Sequence, residues 1–171
     1  MEIGYACINM TLGSQKERVT TNRGMIKKTF LEKGLPYVSE LALKNVKDLI
    51  EVIRWNNKNS IKFYRMSSDM FPWMSEYNLS DLPDYKKISI LLNGAGHLAK
   101  TNNQRLTFHP GPFNVLASPS EDVVRKTIAE LNKHSEIMDL MGLDTSTYNK
   151  INIHVGGVYG DKKSAMERWV S

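Results

Sequence analysis

Two histidines stand where chemistry is done in α/β proteins. His154 closes the alternating part of the run Lys150-Ile-Asn-Ile-His-Val-Gly-Gly-Val-Tyr-Gly-Asp-Lys162. Apolar alternation leads into the imidazole and a glycine pair follows. That pattern reads as a strand whose last side chain sits at a sheet rim, as a metal ligand or catalytic group. The segment Arg105-Leu-Thr-Phe-His109-Pro-Gly repeats the design upstream. Neutral imidazole is the commonest metal ligand, and two of them from neighbouring strand ends reach one ion or an adjacent pair. A lone strand-end histidine is more often a hydrogen-bonded structural residue. Two of them, each followed by a glycine-bearing loop, tilt the reading toward a site.

Glu76 follows Phe71-Pro-Trp-Met-Ser75 and offers a carboxylate that would join the histidines at a metal. A solvated loop glutamate is an equally good reading of it. His97 and His134 lie in helical segments and read as surface or internally satisfied residues. Tyr5, Phe71, Trp73, Phe113 and Tyr159 fall in or near the same loops, and aromatic faces beside a basic site suit a substrate with bases to stack on. At least half of them are expected in the core. Other chemistries are excluded by pattern. No glycine-rich phosphate cradle follows the first strand. Neither CxxC nor HExxH spacing is present. Ser67 and Ser68 lack a GxSxG elbow, so no serine nucleophile is indicated.

The elements that must position these residues alternate strand and helix. Ile3–Ile8, Ile61–Met66, Arg105–Phe108 and Ile151–His154 read as four strands. From Met10 to Glu40 the chain is polar and basic and reads as a long loop, with a short helix over Met25–Glu32. Ala42–Asn56 reads as a helix with Leu43, Val46, Leu49, Ile50 and Ile53 on its buried face. Asp84–Lys100 is a second helix, interrupted by Gly94 and Gly96. Ser120 caps a third, with Val124, Ile128, Leu131, Ser135 and Met138 as its apolar stripe and Gly142 as its stop. Asp161 caps a fourth beginning near Lys162.

Four βα units without hairpin signals predict parallel strands, either a doubly wound sheet or an α/β barrel. Both place function at the carboxyl ends of strands. There the sequence puts Tyr5 and Asn9, then Ser67 to Asp69, then His109, then His154. A barrel takes eight strands. The expectation is therefore a single domain, residues 1–171, forming the N-terminal half of a TIM barrel.

The 171 residues carry a formal charge of +5, scattered and without a basic tail. That favours a polyanionic partner such as nucleic acid only weakly, and a solvated surface explains it as well. One cysteine, Cys7, excludes an internal disulfide and fits a reducing compartment. It is expected as a buried thiol in the first strand. No signal-peptide pattern opens the chain and no apolar run spans a membrane. The location expected is cytoplasmic (nucleoid) or nuclear, not secreted, with no membrane partner.

The segments Gly4-Tyr-Ala-Cys-Ile-Asn9, Tyr64-Arg-Met-Ser-Ser-Asp69, Phe71-Pro-Trp73, Phe108-His-Pro-Gly111, Ser118-Pro119 and Ile153-His-Val-Gly-Gly-Val-Tyr-Gly-Asp-Lys162 resemble the UV-damage endonucleases in order and spacing. The resemblance runs across nearly the whole chain. It implies a TIM barrel with divalent metals, typically manganese, at its mouth. It implies an enzyme that flips damaged nucleotides out of double-stranded DNA and nicks 5′ of UV photoproducts. By position, His109, His154 and Glu76 match metal ligands, and Tyr5 and Asn9 match catalytic or DNA-contacting residues of the first strand end. Pro112, Phe113 and Tyr159 match the DNA-binding surface.

Two residues depart from the family pattern. Some members carry a Gln-aromatic wedge where this chain has Pro112-Phe113, which keeps an apolar wedge but has no amide for an orphaned base. Some members carry histidine where Glu76 stands, an exchange that manganese tolerates. Members also run to about twice this length, and their remaining ligands lie in the other half. The chain alone is therefore expected to be inactive or nearly so. Two other readings remain open. One is a metal-dependent sugar or sugar-phosphate isomerase on a similar barrel. The other is a non-catalytic DNA-binding half-barrel remnant. An open half-barrel exposes strand edges and is expected to pair with a second half or dimerise.

Overall fold

The computed structural model describes residues 3–14 and 16–170. Three short strands, β1 (Gly4–Ala6), β2 (Phe63–Arg65) and β3 (Arg105–Thr107), form a parallel sheet in the order β1-β2-β3. Between them run α1 (Met10–Gly13), α2 (Lys27–Lys58) and α3 (Tyr85–Thr101), followed after β3 by α4 (Glu121–Leu140) and α5 (Lys162–Val170). Single 3-10 turns at Ser68–Met70, Met74–Glu76 and Leu79–Asp81 build the long β2–α3 connection. The protein is mixed α/β with parallel strands joined by helices, as the alternation predicts. Among the described residues the sheet is open rather than a closed barrel.

The expected fourth strand is reduced to one parallel bridge between Phe108 and Ile151. Asn152 N–H donates to the Phe108 carbonyl at 2.9 Å, and beyond it the chain leaves the ladder. Residues past that point have no strand on their far side to pair with, so alternation alone does not hold them extended.

The expected loop over residues 10–40 is the largest revision. Asn9 caps a short helix there, its Oδ1 accepting from Leu12 N–H at 2.9 Å. From Lys27 onward the chain is helical, with a kink at Gly34 (φ 59°, ψ −159°). Glycine and proline together read as a break in the sequence. Pro36 instead begins a new helical segment, where its missing N–H costs nothing. Val38, Leu41, Ala42, Val46, Leu49 and Ile53 then carry one buried stripe down the whole length.

Along the sheet, Tyr64 and Leu106 are fully buried on the helix-covered face, where Val46, Leu49, Ile88, Leu92 and Ala95 pack in the same core. Gly96 is the contact point between α3 and the end of α4, because a methyl group there would overlap the Met141 carbonyl oxygen. That explains a glycine inside a helix which otherwise reads as an interruption. On α4 the predicted stripe is displaced. The buried residues are Thr127, His134, Ile137 and Met138, while Ile128 is exposed. Ser120 occupies the cap position but its side chain makes no capping bond, whereas Asp161 does cap α5, accepting from Lys163 N–H at 3.0 Å. Cys7 lies just past β1 rather than in it, half-buried and at φ 57°.

Candidate active site at the strand ends

Because the strands are parallel, their carboxyl ends share one edge of the sheet. Asn9 follows β1, Ser67 and Asp69 follow β2, and His109 follows β3. His154 comes from the segment that bridges to Phe108. The two histidines, 45 positions apart in sequence (154 − 109), meet in space with ring centroids 4.5 Å apart and planes at 50°. His109 Nδ1 lies 2.7 Å from the Asn152 carbonyl oxygen. A carbonyl only accepts, so Nδ1 carries the proton and donates. That fixes the tautomer and leaves the Nε2 lone pair free, as in metal-binding histidines held by an outer hydrogen bond. The strand that fails to continue after Ile151 thus serves the site, since its carbonyl orients the neighbouring imidazole.

Glu76 ends the Met74–Glu76 turn and is exposed. It does not complete a cluster: among the described residues no group of three His, Cys, Asp or Glu side chains gathers as a metal cage. The structure therefore brings together His109 and His154 and does not bring Glu76 to them.

Tyr5 and Asn9 form a polar chain. Asn9 Nδ2 donates to Tyr5 OH at 2.9 Å, and Tyr5 OH donates to Asn56 Oδ1 at 2.7 Å. Burial pushes the Tyr5 phenol above its ordinary range, and the Asn9 and Asn56 bonds offset only part of this. A neutral phenol there donates hydrogen bonds and does not act as a base at neutral pH. Asn9 is buried and spends its oxygen on the α1 cap, so it is committed to holding the first strand end in shape. Tyr64 lies beneath, tilted against Tyr5 with centroids 5.0 Å apart, and its hydroxyl donates to the Cys7 carbonyl at 2.8 Å.

Phe113 projects with 89 % of its surface exposed, and Pro112 beside it is exposed too. Tyr159 is half-exposed at φ 50°, and the Arg168 guanidinium lies over its ring at 5.9 Å. Phe71, by contrast, is core.

Some features of this edge are not visible in the sequence reading. A cleft of about 530 Å³ opens beside Phe113, lined by Asn22, Met25, Asp69, Trp73 and Glu130 among others. Trp73 holds a left-handed backbone (φ 59°, ψ 29°), costly for a bulky residue. Its indole donates to the Met25 carbonyl at 3.0 Å and its ring stacks on Phe30. Burial raises the Glu130 carboxyl, which accepts from Asn114 Nδ2 at 2.8 Å; nearby Asp69 raises it further. His134, one turn on, is fully buried, not a surface residue. Its Nδ1 donates to the Glu130 carbonyl at 2.9 Å and its Nε2 has no partner. Only the four-residue spacing of Glu130 and His134 hints at this in sequence.

An open parallel α/β sheet brings two imidazoles together at its carboxyl edge, where folds of this class place their sites. The chain belongs to the UV-endonuclease UvdE family, which matches residues 1–171. It is 36 % identical over 172 residues to a putative UV-damage endonuclease of Acanthamoeba polyphaga mimivirus, covering 100 % of this chain and 52 % of that protein. It is 39 % identical over 170 residues to the UV-damage endonuclease of Schizosaccharomyces pombe, covering 98 % of this chain and 28 % of that one. The crystal structure of SacUVDE superposes with a TM-score of 0.85 at 30 % identity, covering 99 % of this chain and 54 % of that chain. The chain thus spans about half the length of the mimivirus relative and of SacUVDE, and less of the yeast one.

Proposed function

We propose that this chain is the N-terminal half of a DNA repair endonuclease that cleaves 5′ of UV photoproducts in double-stranded DNA, its βα units forming part of a TIM barrel. The observation that carries the reading is the His109–His154 pair with His109 Nδ1 pinned by the Asn152 carbonyl, in a chain of this family. The two imidazoles offer nitrogen ligands to a divalent cation on the side where Nε2 of His109 is free, and Mn2+ is the ion that the family resemblance implies. A bound cation supplies Lewis-acid polarisation of a phosphate and a more acidic water.

The chain's own residues do the rest. His109 and His154 would hold the ion. Tyr5 presents a neutral hydroxyl beside the first strand end. Phe113 is an exposed apolar wedge suited to unstacking bases, and Pro112 stiffens the turn that carries it. Glu76 becomes a ligand only if its turn approaches the histidines. Two imidazoles hold a cation weakly, so the chain alone is expected to nick UV-irradiated plasmid little or not at all.

The test is a graft. This chain replaces the matched segment of the Schizosaccharomyces pombe relative, and nicking of irradiated against unirradiated supercoiled plasmid is followed with Mn2+. The graft is expected to nick irradiated DNA selectively. His109→Ala and His154→Ala should each lower the rate by about a hundredfold or more, since one ligand of a catalytic ion is lost. Full activity in both variants would remove the histidines from the mechanism.

A further inference from the structure

Phe113 is an apolar ring held almost fully in water. Such a ring gains by folding onto nearby apolar surface, and the cleft beside it offers Met25 and Trp73. The backbone beneath it must therefore hold it out. Asn114 N–H donates to the Gly111 carbonyl at 3.1 Å, closing a turn over Gly111–Asn114 with Pro112 and Phe113 at its apex. That bond alone leaves the turn free to rock about its ends.

Two bonds to α4 remove that freedom. Asn114 Nδ2 donates to Glu130 Oε1 at 2.8 Å, and Val115 N–H donates to Thr127 Oγ1 at 3.1 Å. Glu130 and Thr127 are three positions apart (130 − 127) and so lie on one side of the helix. Asn114 and Thr127 are both buried, which limits competition from water. Upstream, the turn follows His109, whose ring donates to the Asn152 carbonyl at 2.7 Å. Phe113 comes four positions later (113 − 109). The two anchorages together set where the ring stands relative to that imidazole.

Glu130 is a costly anchor. Burial raises its carboxyl, the Asn114 bond offsets part of this, and Asp69 raises it further. None of the ion pairs among the described residues includes it. Apolar side chains in place of both partners would serve stability about as well. What the carboxyl adds is a strong and directional bond to the turn.

We propose that Glu130 and Thr127 are positioning residues: from α4 they latch the Gly111–Asn114 turn, so that Phe113 meets the duplex as a rigid wedge at a set place relative to His109. Unstacking a base step costs free energy. A loosely held ring escapes that cost by folding back, whereas a pre-organised one delivers it. This bracing role depends on Phe113 acting as the wedge described above.

The test uses this chain and two readouts. One is amide hydrogen exchange at Asn114 and Val115. The other is the fluorescence of 2-aminopurine placed opposite a thymine dimer, which brightens when the base unstacks; the chain is titrated to saturation at about 50 mM salt, where electrostatic binding is strong. Glu130→Met should raise exchange at both amides about tenfold and lower the brightening as far as Phe113→Ala does. Thr127→Val should do the same in part. Glu130→Gln keeps a carbonyl acceptor for Asn114 and should match the wild type in both readouts. A role in stability alone would move the melting temperature of these variants and leave the brightening at saturation unchanged. Full brightening in Thr127→Val and in Glu130→Met, each folded by circular dichroism, overturns the inference while Phe113 stays the wedge. Should Glu130→Met not fold, Thr127→Val decides alone. Full brightening in Phe113→Ala, or none with the wild type, overturns both the latch and the wedge.

Discussion

His134 is held between the Glu130 carbonyl and the edge of Phe108, with ring centroids 4.8 Å apart, and it has no exposed surface. Burial lowers its proton affinity below the ordinary value of 6.5, and the Glu130 carbonyl bond and the Asp69 charge offset only part of that. In the unfolded chain the ring binds a proton as pH falls through 6.5, while in the folded protein it resists. The unfolded state then holds more protons, so stability is full above this value and is lost as pH falls through it. Urea denaturation at pH 7.5 and 5.5 should show that loss in the wild type and a smaller one in His134→Asn. An equal loss in both would assign the effect elsewhere. Glu130 runs the other way. Its raised carboxyl favours the folded state below its ordinary value of 4.5 and loses that contribution as pH rises through the folded value.

Among the elements, helices α2 and α3 each depend on a glycine for opposite reasons, and Gly94 in α3 has no such role. Gly34 takes φ 59° and ψ −159°, a region essentially closed to residues with a Cβ. Gly34→Ala should cost about 1–3 kcal/mol in urea denaturation through that strain. A cost near zero would mean that the α2 kink relaxes freely. Gly96 has ordinary helical geometry but touches the Met141 carbonyl, so Gly96→Ala must push α4 away from α3. Gly94 faces open space in the same helix. Gly94→Ala should raise stability by about 0.5–1 kcal/mol, while Gly96→Ala lowers the melting temperature strongly. The same sign in both would contradict the packing of these helices. At the sheet edge, Gly156 (φ 77°) comes close to the Val115 side chain, which is why the loop carrying His154 needs glycine there.

As a whole molecule, the chain is a three-stranded parallel sheet packed against its helices, with no helix long and apolar enough to cross a membrane among the described residues. Its net charge of +5 is spread over the surface. If DNA is the partner, its affinity for an undamaged duplex should be weak and fall linearly in log–log form as salt rises from about 50 to 200 mM. Anisotropy titrations check this, and a salt-independent affinity would point to an uncharged ligand. The sequence by itself determined the strand–helix alternation, the parallel order and the histidine at the end of β3. Periodicity and glycine placement are local signals, and those segments obey them. It also carried the family, through motifs such as Phe108-His-Pro-Gly111 that keep their order. Tertiary structure decided the rest. The helix running through Gly34 and Pro36 was hidden because the polar, basic composition of residues 10–40 reads as loop, and only the buried stripe that begins at Val38 shows the helix. The fourth strand shrank to one bridge because pairing needs a neighbour, which no local pattern reports. The stripe of α4 shifted because Thr127 and His134 face the core through contacts from distant segments. Glu76, on the Met74–Glu76 turn, joins no three-residue cluster of potential ligands among the described residues, which no local pattern reports. The convergence of His109 and His154 exists only once distant segments lie side by side.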